Sequence, residues 1–143
     1  MFNVWQLNPD ERLKEWRSFR NSLCEQDLKQ QLEQVVDWWK NTPLGSRQLD
    51  IYDATEWNDP WELLHKGDFD ENSIALGMAY SLQLIDVDTQ LLLVQNRKNH
   101  TLNLIVLVDE QYILNYTYGS IDKVDVLEDC EILQRWSTKN LLN

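Results

Sequence analysis

Residues 67–84 read GDFDENSIALGMAYSLQL, a helix that is apolar almost all the way round and is entered from a polar turn. Ile74, Met78, Leu82 and Ile85 make one stripe, while Ala75, Gly77 and Ala79 leave small faces where neighbours can come close. A helix with so little polar surface has to be central, with other elements packed on several sides. Asp68 as N-cap with Glu71 three residues later fits a capping box. Three extended runs follow, TQLLLVQNR, TLNLIVLVD and YILNYTYG. The linker NRKNH and the pair Asp109 and Glu110 supply hairpin turns between them. Val124 and Val126 are predicted to begin a further strand, and EILQRWST reads as one more. Helices first and then an antiparallel meander make an α+β chain.

Upstream, Asn8 as N-cap, Pro9 at the first helical position and Glu11 predict a helix from about Pro9 to about Leu23. A second begins near Asp27, carries Leu28, Leu32, Val35 and Trp39 on one face, and ends before Pro43. Trp38 and Trp39 stand side by side in its last turn, so one can face the core and the other is left partly outside. Residues 41–59 are turn-rich, with a short strand expected at Leu49 to Tyr52. Pro60 opens a short helix, PWELLHKG, which Gly67 stops.

At 143 residues the chain suffices for one domain with a core, and 43% hydrophobic residues with seven Trp point to a globular protein. No apolar run reaches the roughly 20 residues that span a bilayer, and the N-terminus lacks the pattern of a signal peptide. A cytoplasmic or virion location is the expectation. Cys24 and Cys130 are too few for a disulfide framework, and Cys24, beside Leu23, is expected in the core. The net charge of −11 is unevenly spread: residues 50–71 hold eight acids against Lys66, whereas residues 11–48 hold seven basic and six acidic side chains. An acidic surface repels phosphate backbones, which argues against direct nucleic-acid binding.

Chemistry-bearing residues are sparse. His100 opens the second extended run and Asn115 lies in the third, so a hairpin with a bulge could bring a base and its orienter together. Asp86 and Asp88 form a solvated turn, and His65 with Asp68 lacks a further ligand, so no metal site and no cofactor are expected.

From Trp57 onward the order of elements resembles the bacterial transglutaminase-like cysteine proteinases, a papain-related α+β family. The residues that carry the likeness are Trp57, Pro60 and Glu62 in WNDPWELL, then Gly67 and Asp68, then Ala75 in the central helix. His100 in NHTLNLIVLV, Asn115 in ILNYTYGSI at the family's Asp position, and Arg135 and Ser137 in QRWS complete it. The resemblance implies a papain-like, transglutaminase-like fold: a central helix packed on an antiparallel sheet, here with two N-terminal helices. Residues 1–46 are then a helical N-terminal addition within a single domain of residues 1–143, and residues 47–138 the core.

Counting back from Ala75 puts the family's catalytic Cys at Glu71, and matching the Gly-Asp pair puts it at Phe69. Neither is a thiol. The resemblance therefore implies a pseudoenzyme with no catalytic residue, in which Glu71, His100 and Asn115 are vestigial. Trp38, Trp39, Trp57 and Trp61 are the expected binding residues of a module that meets other proteins of a larger assembly, without a membrane or nucleic acid. The segments PWELL and ILNYTYG also resemble proteins of tailed bacteriophages, which implies a virion or assembly component. Two alternatives stand beside this: an active cysteine-type hydrolase with a displaced nucleophile, Cys24, Ser73 or Asp70, and an acidic decoy that binds a host enzyme.

Overall fold

The computed structural model describes residues 3–45, 48–67 and 69–142. Four helices precede the sheet: α1 (Pro9–Leu23), α2 (Leu28–Lys40), α3 (Pro60–Lys66) and α4 (Glu71–Gln83). The starts read from sequence hold for the first three. Asn8, Asp27 and Asp59 each accept a backbone N–H from the first turn of α1, α2 and α3. Gly67 ends α3 in the left-handed region at φ 66°. A Cβ on Gly67 would also stand 2.7 Å from an Arg12 nitrogen.

The sheet follows as β1 (Thr89–Asn96), β2 (Leu102–Val108), β3 (Tyr112–Leu114), β4 (Ile121–Lys123) and β5 (Cys130–Ser137), closed by a short helix α5 (Thr138–Leu141). All pairings are antiparallel, in the order β4-β3-β2-β1-β5. This is the α+β architecture expected, a central helix on an antiparallel sheet. It departs from a simple meander in one respect, because the last strand returns to the far edge beside β1. The apolar runs of β1 and β2 lack a period of two because both faces of the sheet are covered. Leu91, Leu104, Val106, Val108 and Leu114 face the helices. Leu92, Val94, Ile105, Leu107 and Ile113 pack beneath Tyr116, Val124, Val126 and Leu127.

Four local expectations are corrected. Leu49 to Tyr52 form no strand: the Asp50 and Asp53 carboxylates accept backbone N–H groups of Tyr52 and Thr55 at 2.9 and 3.1 Å. Those bonds favour turns and a 3₁₀ helix at Ala54–Glu56 over a ladder. Val124 and Val126 lie in a 3₁₀ helix, Val124–Asp129, whose valines roof the sheet. Cys24 is exposed just past the end of α1, and Leu23 fills the core position instead. Finally, the N-cap of α4 is Asp70, with Ser73 as its capping-box partner, so the helix starts at Glu71, two residues later than the expected Asp68 cap would place it. Asp68 itself lies outside the described residues.

Helix α4 is buried from Ser73 to Leu82. Trp39 crosses it at Gly77, where a Cβ would stand 2.5 Å from indole carbons, so only glycine admits the ring. One turn on, Ser81 Oγ accepts the indole N–H groups of Trp16 at 3.0 Å and Trp39 at 2.9 Å and donates to Gly77 O at 2.9 Å. One hydroxyl thus satisfies two large buried rings from different helices.

Candidate functional site

Where α4 begins, the chain is held by side chains from three directions. Asp70 Oδ1 accepts the Ser73 N–H at 2.7 Å, and Ser73 Oγ accepts the Asp70 N–H at 2.9 Å. The second carboxylate oxygen of Asp70 accepts Leu49 N–H at 2.9 Å, which ties the irregular segment to the helix mouth. Asn72 Oδ1 accepts Leu104 N–H of β2 at 3.1 Å. Asn115, buried to 6% exposure, donates from Nδ2 to Glu71 O at 3.0 Å. Its backbone is left-handed at φ 66°, a region Asn enters more readily than most residues, and the turn ends β3 there.

Glu71, Asn72, Asn103, Asn115, Tyr116 and Tyr118 surround a recess of about 240 Å³. Burial and the neighbouring Glu71 carboxylate push the Tyr118 phenol up, and its hydroxyl donates to Lys40 O. The Asn115 amide rigidifies the mouth by bridging β3 to the first residue of α4. The recess is lined by polar side chains that are largely engaged: Asn72 Oδ1 accepts Leu104 N–H, Asn115 Nδ2 donates to Glu71 O, Tyr118 Oη donates to Lys40 O, and Tyr116 Oη accepts Asn96 Nδ2.

Of the three positions the resemblance marks, the structure brings Glu71 and Asn115 together and leaves His100 out. His100 is exposed in the β1–β2 turn, at φ 61°, with its N–H on Asn96 O at 2.9 Å. Val106 pairs with Leu114, so Asn115 is level with Ile105, five residues from His100 along the strand. At ~3.3 Å per residue that separates them by about 16 Å. Two β2 residues line the recess, Leu104 and Asn103, the latter paired with Val94, and sequence reading missed both. An Asn in a strand carries no signal of its own, and register alone delivers it. Phe69, the other place considered for a nucleophile, is fully buried with its ring centroid 5.0 Å from Trp5 and 5.9 Å from Trp39.

The displaced nucleophiles fare no better. Ser73 and Asp70 are consumed in the capping box. Cys24 Sγ points back to Arg20 O at 3.6 Å, and Cys130 is buried beside Tyr116 Oη at 3.8 Å in the cluster on the other face of the sheet.

The expected binding tryptophans also divide. Trp39 and Trp57 are core residues. Trp57 lies 4.7 Å from Trp136 between ring centroids and its indole N–H donates to Asp50 O. Trp38 is half-buried and stacked on Phe19 at 5.4 Å. Trp61 alone of the four is well exposed, at 51%.

By sequence, neither a family model nor a curated protein matches the chain. By structure, calcium-bound LapG of Legionella pneumophila superposes with a TM-score of 0.72 at 18% identity, over 94% of this chain and 82% of LapG. A second LapG structure gives 0.69 at 16% identity, over 95% and 84%, and an EGTA-treated one gives 0.69 at 16%, over 96% and 82%. The chain has the LapG fold. This is the transglutaminase-like architecture expected from the order of its elements. Such coverage leaves out at most about a twentieth of the chain, so the span shared with LapG takes in α1 and α2. Although one LapG structure is calcium-bound, the described residues here hold no group of three or more His, Cys, Asp or Glu placed to take a metal ion. Both Asp70 oxygens already accept backbone N–H groups. Among the described residues no helix is long and apolar enough to cross a membrane.

Proposed function

We propose that the chain is a non-catalytic protein on the transglutaminase-like fold, serving as a protein-binding module in a larger assembly. The LapG neighbours are cysteine proteases, so the reading rests on the site and not on the fold. The observation that carries it is the mouth of α4. Thiol proteolysis needs a thiolate made nucleophilic by an adjacent imidazole. Here the first helical residue is Glu71, and the recess it borders is lined from the sheet side by Asn103, Leu104 and Asn115, with neither a thiol nor an imidazole among its lining residues. A carboxylate at a helix N-terminus is well placed in the helix dipole and does not form a thioester. The hydrogen bonds of Asn72 and Asn115 that close the mouth keep a structural use after the chemistry is gone.

Incubated with a proteome-derived peptide library, the chain is expected to give no cleavage above a heat-inactivated control, read by mass spectrometry of new peptide termini. Cleavage that disappears in Glu71→Gln or in Cys24→Ser would sink the non-catalytic reading. The likeness of PWELL and ILNYTYG to tailed-phage proteins supports a narrower version, a virion or assembly component. Gradient-purified particles from the source culture should then contain the chain in fixed ratio to a capsid or tail protein. Its presence in the lysate and absence from the particles would rule that version out.

A further inference from the structure

A second apolar groove, sharing no lining residue with the recess, runs between α1 and α3 and carries the exposed Trp61. Leu13, Trp16, Arg17, Arg20 and Trp61 line one half, of about 270 Å³. The groove continues past Trp61 toward His65 and Lys66, with Glu62 at its side, for about 390 Å³ more. Trp61 stands between the two halves, its ring edge-on to Trp16 at 5.6 Å.

Arg20 is held in this groove by rings. Its guanidinium carbon lies 4.3 Å from the Trp16 centroid and 5.8 Å from that of Trp61. Among the described residues its side chain donates no hydrogen bond, its buried Nε is unsatisfied, and neither Arg20 nor Arg17 has an ion-pair partner. Burial and the like charge of Arg17 both lower the proton affinity of Arg20, so a bound anion would relieve them. This is notable in a chain of net charge −11, which has carboxylates to spare and places none on this pair. A guanidinium fixed in plane by stacking, with its fork of donors unused, is preorganised for a carboxylate.

We propose that the groove binds a short acidic segment of a partner protein, with a carboxylate on Arg20 and Arg17 and a large apolar side chain between Leu13 and Trp61. Charge complementarity chooses this occupant: the groove gathers Arg17, Arg20, His65 and Lys66 around apolar rings, and the peptide supplies what both lack. The proposal names the partner class for the binding module, yet the groove works whether or not the recess at Glu71 is catalytic. Failure of one reading therefore leaves the other standing.

The probe is a yeast-displayed library of random 12-residue peptides, selected on the full-length chain. Enriched peptides are expected to combine Asp or Glu with Leu, Phe or Trp. A synthetic peptide of the enriched consensus should bind at least ten-fold more weakly to Arg17→Glu and to Trp61→Ala, and its Gln-substituted form should lose as much. Both variants alter exposed side chains, and circular dichroism would show that they fold. Arg135→Gln, on the exposed part of β5, should bind as the unaltered chain does. No enrichment, enrichment without acids, or equal affinity for the two groove variants would each overturn the proposal. So would a concentration-dependent dimer in sedimentation velocity that Arg17→Glu abolishes, because the occupant would then be a second copy.

Discussion

Replacing Ser81 with alanine is expected to destabilise the protein by about 2–6 kcal/mol, since two buried indole N–H groups lose their acceptor at about 1–3 kcal/mol each. Trp16 and Trp39 are nearly fully buried and reach Ser81 from separate helices, so neither can turn to water without opening the contact with α4. Gly77, whose carbonyl accepts the Ser81 hydroxyl, sits directly under the Trp39 ring, which fixes the indole against relaxation. Urea unfolding followed by far-ultraviolet circular dichroism measures the loss. A shift below about 1 kcal/mol would mean that the two N–H groups find other partners, contrary to the packing described. Ser81→Cys, which keeps a weak acceptor of similar size, should lose less than Ser81→Ala.

The second large effect is expected at Arg12. Its Nη1 donates to Leu64 O at 2.7 Å and His65 O at 3.2 Å, capping the carbonyl end of α3, where the helix dipole favours a cation. Its Nη2 donates to Leu7 O at 3.0 Å and Trp5 O at 3.4 Å, which ties the segment before α1 to the same point. Arg12→Leu is expected to cost about 2–4 kcal/mol, because several buried carbonyls lose a charged donor at once. Arg12→Lys should recover only part of this, since a single ammonium does not reach both sets of carbonyls as a planar fork does. Differential scanning calorimetry of the three forms gives the ranking. Equal melting temperatures for Arg12→Lys and the unaltered chain would show that the fork geometry is unimportant.

Much of the framework was legible because its signals are local. The start of α1 follows from Asn8 and Pro9, and the stop of α3 from Gly67; each acts within one turn of chain. The strands β1, β2 and β5 are long apolar or β-rich runs that have no good alternative. Two local readings failed where side chains compete for backbone groups. Asp50 took the Tyr52 N–H that a strand at Leu49 to Tyr52 would have used, and Asp53 set a 3₁₀ turn directly after it. At the mouth of α4, three acids within four residues, Asp68, Asp70 and Glu71, offered several frames for the cap, and the Asp70–Ser73 pair won.

The site was harder to read. The likeness to transglutaminase-like proteinases led to Glu71 and Asn115, and the Asn115 Nδ2 to Glu71 O bond joins them. It also led to His100, because order along the chain cannot distinguish the end of a turn from the face of a strand. The left-handed conformation of His100 and its bond to Asn96 O keep it in the turn, and the ladder then carries Asn103 to the recess.

By itself the sequence determined the class of fold and the limits of most helices, and it places no cysteine between Cys24 and Cys130. Those follow from residue types and spacings that act over a few positions. Only the tertiary structure decided which tryptophans are core and which is exposed, that His100 stays in the β1–β2 turn while Asn103 lines the recess, and that Arg20 lies over the Trp16 ring with no carboxylate on it among the described residues. Each depends on strand register or helix packing between residues far apart in the chain, and no local propensity encodes it.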